Sequence, residues 1–476
     1  MADFVGRDRE FRLLERQLRT VEKAGAEQPG RCLIMRGRRR VGKSRLVEEF
    51  RRRTDAPSVF FTASRAGGDV DLAVFIEAVT GSDLPGRDLF TDAPPRDWDT
   101  ALRLLARTLP DERPSLVIID ELPFLTATVT GFESLLQRAW DRYLSRKPVL
   151  LMLIGSDLSI MESLNDYDRP FHQRGKPMVV EPLSPHEVRT MLKLTEADAF
   201  DAFLVTGGMP LQCAEWEPGA NLAHYLRDNL SDPTSALAAS AELSLAAEYP
   251  ADTNARTLLT AIGTGERTFT SILSASRLTK STMERSLSTL LSKGAVVGEV
   301  PLSAKPSRET RYRIADPYLR FWLRFVGPHF DEIDRGRPDR LLARIDAGWS
   351  SWRGRAVEPL VREALWRLLP DERTPWLSAQ ETARISGYWT RGNTVEIDVV
   401  AADRAPVAKR IGFVGSVKWH DRDGLDRHDL TELVLARDRL PGATDRTPLI
   451  AVSRVAGSAP GFDLHLTARD LMRAWA

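Results

Sequence analysis

Apolar residues come in short unbroken runs through the first 180 positions and in helical stripes beyond them. RCLIMRG (31–37), PSVFFTA (57–63), SLVIID (115–120), PVLLMLIGS (148–156) and PMVVEPL (177–183) each predict a buried strand. Between them, KSRLVEEFRRR (43–53) and FESLLQRAWDRYL (132–144) predict helices. In the second, Phe132, Leu135, Leu136, Ala139, Trp140, Tyr143 and Leu144 fall on one stripe. Continuous apolar strands alternating with helices imply a parallel sheet covered on both faces.

After Pro182 the pattern changes to short helices: SPHEVRTMLKL, EADAFDAFLVTGG, and Leu211 to about Leu230. Residues 254–300 predict a helix–turn–helix, TFTSILSASRL then STMERSLSTLLSKG, with AVVGEV and RYRIAD following as two strands. Helix–turn–helix plus hairpin is a winged-helix pattern. DEIDRGRPDR (331–340) is charged and turn-rich and predicts a linker. A last unit then carries the helix GRAVEPLVREALWRLL, the strands TVEIDVVAA and RIGFVGSVKW, and the helix HDLTELVLARDRL.

Composition narrows the class. A chain of 476 residues implies two to four domains. Hydrophobic residues make up 42% and charged residues 28%, the balance of a soluble globular protein. No apolar run reaches the roughly 20 residues that span a bilayer, and the opening MADFVGRDREF has no apolar h-region, so neither a membrane role nor a signal peptide is expected. Two distant cysteines, Cys32 and Cys213, fit a reducing cytoplasmic setting better than a disulfide framework. The net charge of +1 leaves room only for a local basic face.

GRRRVGKS (37–44) fits G-x-x-x-x-G-K-[ST] and lies between a predicted strand and a predicted helix. Gly37 and Gly42 permit a tight turn, and the residues Gly37, Arg38, Arg39, Arg40, Val41, Gly42, Lys43, Ser44 and Arg45 form the candidate phosphate cradle. Lys43 would neutralise the β- and γ-phosphates and the Ser44 hydroxyl would ligate Mg²⁺. Asp120, at the tip of SLVIID, would hold the same ion, and Glu121 would orient or deprotonate the attacking water. Ser156, ending the fourth strand, is expected between the loop and the Asp120 strand, in reach of the γ-phosphate.

With these motifs in view, the sequence resembles the archaeal-type ATPases, a family close to the AAA+ and STAND groups. FVGRDREFRLLE (4–15) is similar to the family's opening segment and GRRRVGKS to its loop, although the family more often has proline where Arg38 stands. GGMP (207–210) resembles the glycine–proline signature of STAND-type lids, and RYRIADPYLRFWLRF (311–325) the family's most distinctive segment. The resemblance implies an α/β fold: a P-loop ATPase core (1–182), a helical lid (183–245), a winged-helix domain (246–330) and a restriction-endonuclease-like PD-(D/E)xK domain (341–476). It also makes Val5, Gly6 and Pro210 candidate adenine or ribose neighbours. Arg174, in FHQRGK, becomes a candidate γ-phosphate sensor, with a plain surface arginine as the alternative. Arg7 is read as a partner for a nearby acid.

In a strand, residues two apart share a face, so Glu396 and Asp398 share one face of VEIDVV, and Ser416 and Lys418 one face of VGSVKW. With Glu358 on the preceding helix, this resembles a nuclease pattern in which acids hold Mg²⁺ and a lysine assists. Ser416 stands where that pattern needs a carboxylate. Either the pocket is inactive, or Glu432 on the following helix, with help from Glu396, substitutes.

Lys280, Ser281, Thr282 and Arg285 begin the second helix of the helix–turn–helix, and Lys305 and Arg308 lie in the wing. The expected function is an ATP- and Mg²⁺-dependent ATPase acting on DNA. The alternative is a STAND-like switch whose C-terminal parts meet a protein partner. A DNA-tethering protein is a third reading.

Overall fold

The computed structural model describes residues 4–23, 29–249, 253–265, 267–421 and 424–476. The chain divides into two compact units, Met1–Pro182 and Leu183–Ala476.

In the first unit, β1 (Arg31–Arg36), β2 (Ser58–Thr62), β3 (Ser115–Asp120), β4 (Val149–Gly155) and β5 (Lys176–Val179) form a parallel sheet in the order β2-β3-β4-β1-β5. β3 and β4 are buried along their whole length, as their unbroken apolar runs predict. One face, carrying Phe61, packs on Phe75, Trp98 and Phe132, the other on Leu14, Leu46, Val47 and Phe50. This sheet with helices on both faces is the P-loop α/β fold that the alternation of strands and helices predicts. Its order matters for the site, because β4 lies between β1 and β3 and brings Ser156 between the loop and Asp120.

The second unit opens with helices Pro185–Leu192, Glu196–Thr206, Pro210–Ala214, Leu222–Leu230 and Ala236–Glu248. Ser184 caps the first through a reciprocal bond with Glu187. Helices Thr253–Thr264, Phe269–Ser276 and Lys280–Ser292 follow, the last capped by Thr279. They lead into an antiparallel hairpin of β6 (Val296–Glu299) and β7 (Arg311–Ile314).

The expected linker at 331–340 is corrected by the structure. A 31-residue helix, Pro338–Leu368, starts inside it, with proline in its first turn, where a missing N–H costs nothing. Ile333, Leu341 and Ile345 are buried in the same core as the preceding helices. The charged positions between them hid a helical stripe.

The C-terminal sheet is mixed. β8 (Arg384–Trp389), β9 (Glu396–Ala402), β10 (Ile411–Lys418), β11 (Leu449–Ser453) and β12 (Leu464–Thr467) lie in the order β12-β11-β10-β9-β8. The β8–β9–β10 part is antiparallel and the β10–β11–β12 part parallel. The sequence reading singled out only β9 and β10. Phe200 and Leu204, on helix Glu196–Thr206, share a core with Val361, Phe413 and Trp419. The first helices of this unit thus pack directly on its sheet.

Candidate nucleotide site

The glycine-rich loop leaves β1 and turns into helix Lys43–Arg53. Gly42, the residue before that helix, has φ +90°, a conformation a side chain would strain. Gly37 is needed for a different reason: a Cβ there would collide with the Val180 carbonyl, where β5 runs out beside β1. The loop is held from outside by Arg7, which is 3% exposed. Its guanidinium donates to the carbonyl oxygens of Val41 (2.8 Å) and Glu181, and to the Glu10 carboxylate at 3.4 Å. The expected acid partner is therefore present, but the two carbonyls were not legible in the sequence.

Lys43 is 5% exposed and donates to the carbonyls of Gly37 (2.9 Å) and Arg38 (3.1 Å) and to Ser156 Oγ (3.0 Å). Burial pulls the ammonium below the usual lysine range, opposed by the charges of Glu121 and Asp120. Ser156 in turn donates to Glu121 Oε1 at 3.1 Å. Ser44 Oγ donates to Asp120 Oδ2 at 2.5 Å, and the other oxygen of Asp120, which is 4% exposed, accepts the Glu121 N–H at 2.8 Å. Lys43, Ser44, Asp120, Glu121 and Ser156 thus meet at the C-terminal ends of β1, β3 and β4. This is where open parallel sheets bind ligands. The donor set suits a nucleoside triphosphate with a hard cation. An ammonium, a hydroxyl and two carboxylates lie beside a helix N-terminus that follows a glycine turn.

The remaining candidates are more scattered. Arg39, Arg40 and Arg45 are exposed around the loop and Arg38 is half-buried. Val5 and Gly6 are half-buried just ahead of Arg7. Pro210 lies in the second unit, where it opens helix Pro210–Ala214. Arg174 is not brought to the loop. It makes a two-pronged pair with Asp141, at 2.8 and 2.9 Å, and also donates to the carbonyls of Pro170 and His172. The reason is strand direction: β5 runs parallel to β1, so a residue just before β5 lies at the N-terminal ends of the strands, away from the loop.

The C-terminal candidates lie near one another, and most of them are taken up in pairs. The pairing of Gly415 with Val399 brings Ser416 opposite Asp398. Asp398 accepts from the Val417 N–H (2.8 Å) and Ser416 Oγ (3.3 Å). Lys418 instead pairs with Asp429 at 2.7 Å. Glu396 pairs with Arg311 at 2.5 Å and Glu358 with Arg362 at 2.8 Å. Glu432 is 61% exposed and faces His428 at 3.4 Å. Among the described residues, no three acidic, histidine or cysteine side chains gather to hold a metal ion. Also among them, no helix is long and apolar enough to cross a membrane.

Comparison with known proteins adds the following. Residues 322–432 match a family model, DUF234, described as archaeal and bacterial proteins of unknown function. An uncharacterised protein of Methanocaldococcus jannaschii is 23% identical over 384 residues, covering 78% of this chain and 82% of its own. Among solved structures, a Walker-type ATPase of Pyrococcus abyssi is 19% identical with a TM-score of 0.46, over 68% of this chain and 96% of that one. The ORC2 protein of Aeropyrum pernix is 13% identical with a TM-score of 0.46, over 73% and 98%. A STAND protein with a tetratricopeptide-repeat sensor from Pyrococcus horikoshii is 15% identical with a TM-score of 0.29, over 78% and 52%. The segment matched by the family model begins inside RYRIADPYLRFWLRF (311–325).

Proposed function

We propose that the chain binds ATP with Mg²⁺ at the loop and hydrolyses it. The observation that carries this reading is the 2.5 Å contact between Ser44 and Asp120, with the chain Lys43–Ser156–Glu121 beside it. Ser44 and Asp120 would hold the cation. When bound, Mg²⁺ neutralises charge on the phosphate oxygens and polarises the phosphoryl group. Lys43 would exchange its carbonyl acceptors for phosphate oxygens. Glu121 would orient the attacking water and take its proton, while Ser156 holds both Lys43 and Glu121 in place. Val5, Gly6 and Pro210 as nucleotide neighbours rest on the family likeness alone. The test is ATP turnover by the full chain with Mg²⁺ and with EDTA. Metal-dependent release of phosphate is expected; the absence of both binding and turnover would refute the proposal.

We further propose that the segment 246–330 is a winged helix that meets DNA. Lys280, Ser281 and Arg285 are exposed at the start of helix Lys280–Ser292, and Lys305 and Arg308 are exposed at the tip of the hairpin loop. DNA-stimulated turnover, and affinity that falls steeply with salt, are expected. One observation favours a second reading, a nucleotide-dependent switch with a protein partner. The hairpin loop is stitched to the C-terminal sheet by Leu302 N–H to Gly387 O (2.9 Å), Ala304 N–H to Pro441 O (2.8 Å) and Ala408 N–H to Ser303 O (2.8 Å). On that reading nucleotide is retained through purification, turnover is slow, and DNA leaves the rate unchanged.

A further inference from the structure

Three acids of the second unit, Glu358, Glu396 and Asp398, lie close together, and Glu299, at the end of β6 in the hairpin, shares an arginine with Glu358. On the hairpin, Arg313 donates to Glu299 at 2.5 Å. Arg362, from helix Pro338–Leu368, donates to three acceptors at once: Glu299 Oε2 at 3.2 Å, Glu358 Oε2 at 2.8 Å and the Asp398 carbonyl at 2.8 Å. Arg311, also on the hairpin, donates to Glu396 (2.5 Å) and Asn393 (2.5 Å) and stacks over the Trp389 ring at 4.5 Å. The Trp389 indole N–H returns a bond to the Glu309 carbonyl at 2.9 Å. The three backbone bonds of the loop continue this contact along β8 and beyond.

We infer that this acidic face is the seat of the hairpin, and that it is not a metal centre. Arg362 ties Glu358 Oε2 to the Asp398 carbonyl, so one oxygen of Glu358 is already taken by a fixed cation of the protein itself. Two further features of the donor set point the same way. The Asp398 carboxylate is already bonded to the Val417 N–H and to Ser416, a neutral residue where a third carboxylate would be needed. Lys418, the residue that would assist a nucleophile, is neutralised by Asp429. An arginine whose separate N–H groups reach several acceptors is well suited to compensating partly buried carboxylates. The consequence is mechanical: the hairpin and the C-terminal sheet are bound as one body, with Arg362 as the shared fastening.

The test uses the full chain without nucleotide. Mn²⁺ titrated into wild type and Asp398→Asn, followed by electron paramagnetic resonance, is expected to show no site that depends on Asp398. A site lost in that variant would overturn the inference, as would plasmid nicking with Mg²⁺ or Mn²⁺ that vanishes in Lys418→Ala. In hydrogen exchange, Arg362→Gln is expected to speed the amides of residues 296–314 by about tenfold or more, while those of β1 keep their protection. Unchanged exchange in the hairpin would also overturn it. Should Arg362→Gln fail to fold, Arg311→Lys read on the same amides replaces it, and the Mn²⁺ titration still decides.

Discussion

Lys43 opens a helix just past the tip of β1, and Lys418 ends β10. Lys43 stands near two acids, Asp120 and Glu121, and Lys418 near three, Asp429, Asp398 and Glu432. Lys43 is buried and bonded to two carbonyls and a serine, with Asp120 and Glu121 close enough to act on it only through space. Lys418 is 32% exposed and in direct contact with Asp429. Burial lowers the Lys43 ammonium. At Lys418 burial acts the same way, but the hydrogen bond and charge of Asp429 outweigh it and raise the group. The difference separates a cation kept for a ligand from one already neutralised by the protein. Neutral acceptors can be exchanged for phosphate at little cost, whereas a carboxylate must be displaced and left uncompensated.

The largest effect that can break this comparison is at Lys43. Lys43→Ala is expected to cut ATP turnover by about a thousandfold or more, the scale on which a preorganised charge acts on a developing anion. Phosphate release close to wild type would remove the distinction between the two lysines.

The second prediction concerns a charge cluster that no sequence motif announced. Asp201, on helix Glu196–Thr206, is 4% exposed and accepts from Arg353 (3.0 Å), Arg454 (3.1 Å) and the Trp419 indole (3.2 Å). It fastens the first helices of the second unit to the C-terminal sheet. Asp201→Ala leaves the buried Arg353 with only Asp421, which is mostly exposed. A loss of about 3 kcal/mol is expected in urea unfolding. A change under about 1 kcal/mol would mean that the cluster does not hold this unit together.

These two sites also show what a sequence makes legible. The loop site was readable because its residues lie in short local motifs: a strand, a glycine turn and a helix at 31–53, and a strand ending in two acids at 115–121. The pattern also placed Ser156, since a fourth apolar run ending in a polar residue fits only a few positions in such a sheet. For Arg174 the sequence left a γ-phosphate sensor and a plain surface arginine both open, because nearness in sequence to the fourth strand does not say at which end of the strands a residue lies. In the C-terminal sheet, the two-residue period put Ser416 beside Asp398. It could not reveal that Asp429, eleven residues on, competes for Lys418, or that Arg311 and Arg362 arrive from other elements. Strand periodicity fixes a face; which partner a charged side chain takes is decided by tertiary packing.

A smaller effect probes the acidic face through pH. Burial pushes the Glu358 carboxyl up to about 7, more than the charge of Arg362 lowers it; Asp398, Arg320 and Glu396 also face it. The folded chain therefore keeps a proton on Glu358 that the unfolded chain releases near the ordinary glutamate value. Between about pH 4.5 and 7 the folded state binds more protons, so this group's stabilisation falls as pH rises through that window. Glu358→Gln cannot titrate. Its unfolding free energy, relative to wild type, is expected to improve on the order of 2 kcal/mol between pH 4 and pH 8. Parallel pH profiles would show that Glu358 ionises in the folded chain as it does in the unfolded one, with Arg362 compensating an ordinary carboxylate.

The smallest effect is expected at Lys418 itself. Its partner Asp429 does not depend on it: Asp429 also forms a reciprocal cap with Asp426, at 2.9 and 3.0 Å, at the start of helix Arg427–Asp438. Removing the lysine leaves that cap in place and leaves a carboxylate that water can reach. Lys418→Ala should therefore cost less than about 1 kcal/mol, the range of partly exposed ion pairs, and leave ATP turnover as in wild type. A loss of several kcal/mol would mean that Lys418 supports the sheet. Loss of a metal-dependent cleavage would mean that Asp429 is only a resting partner, exchanged for substrate as the carbonyls around Lys43 are proposed to be.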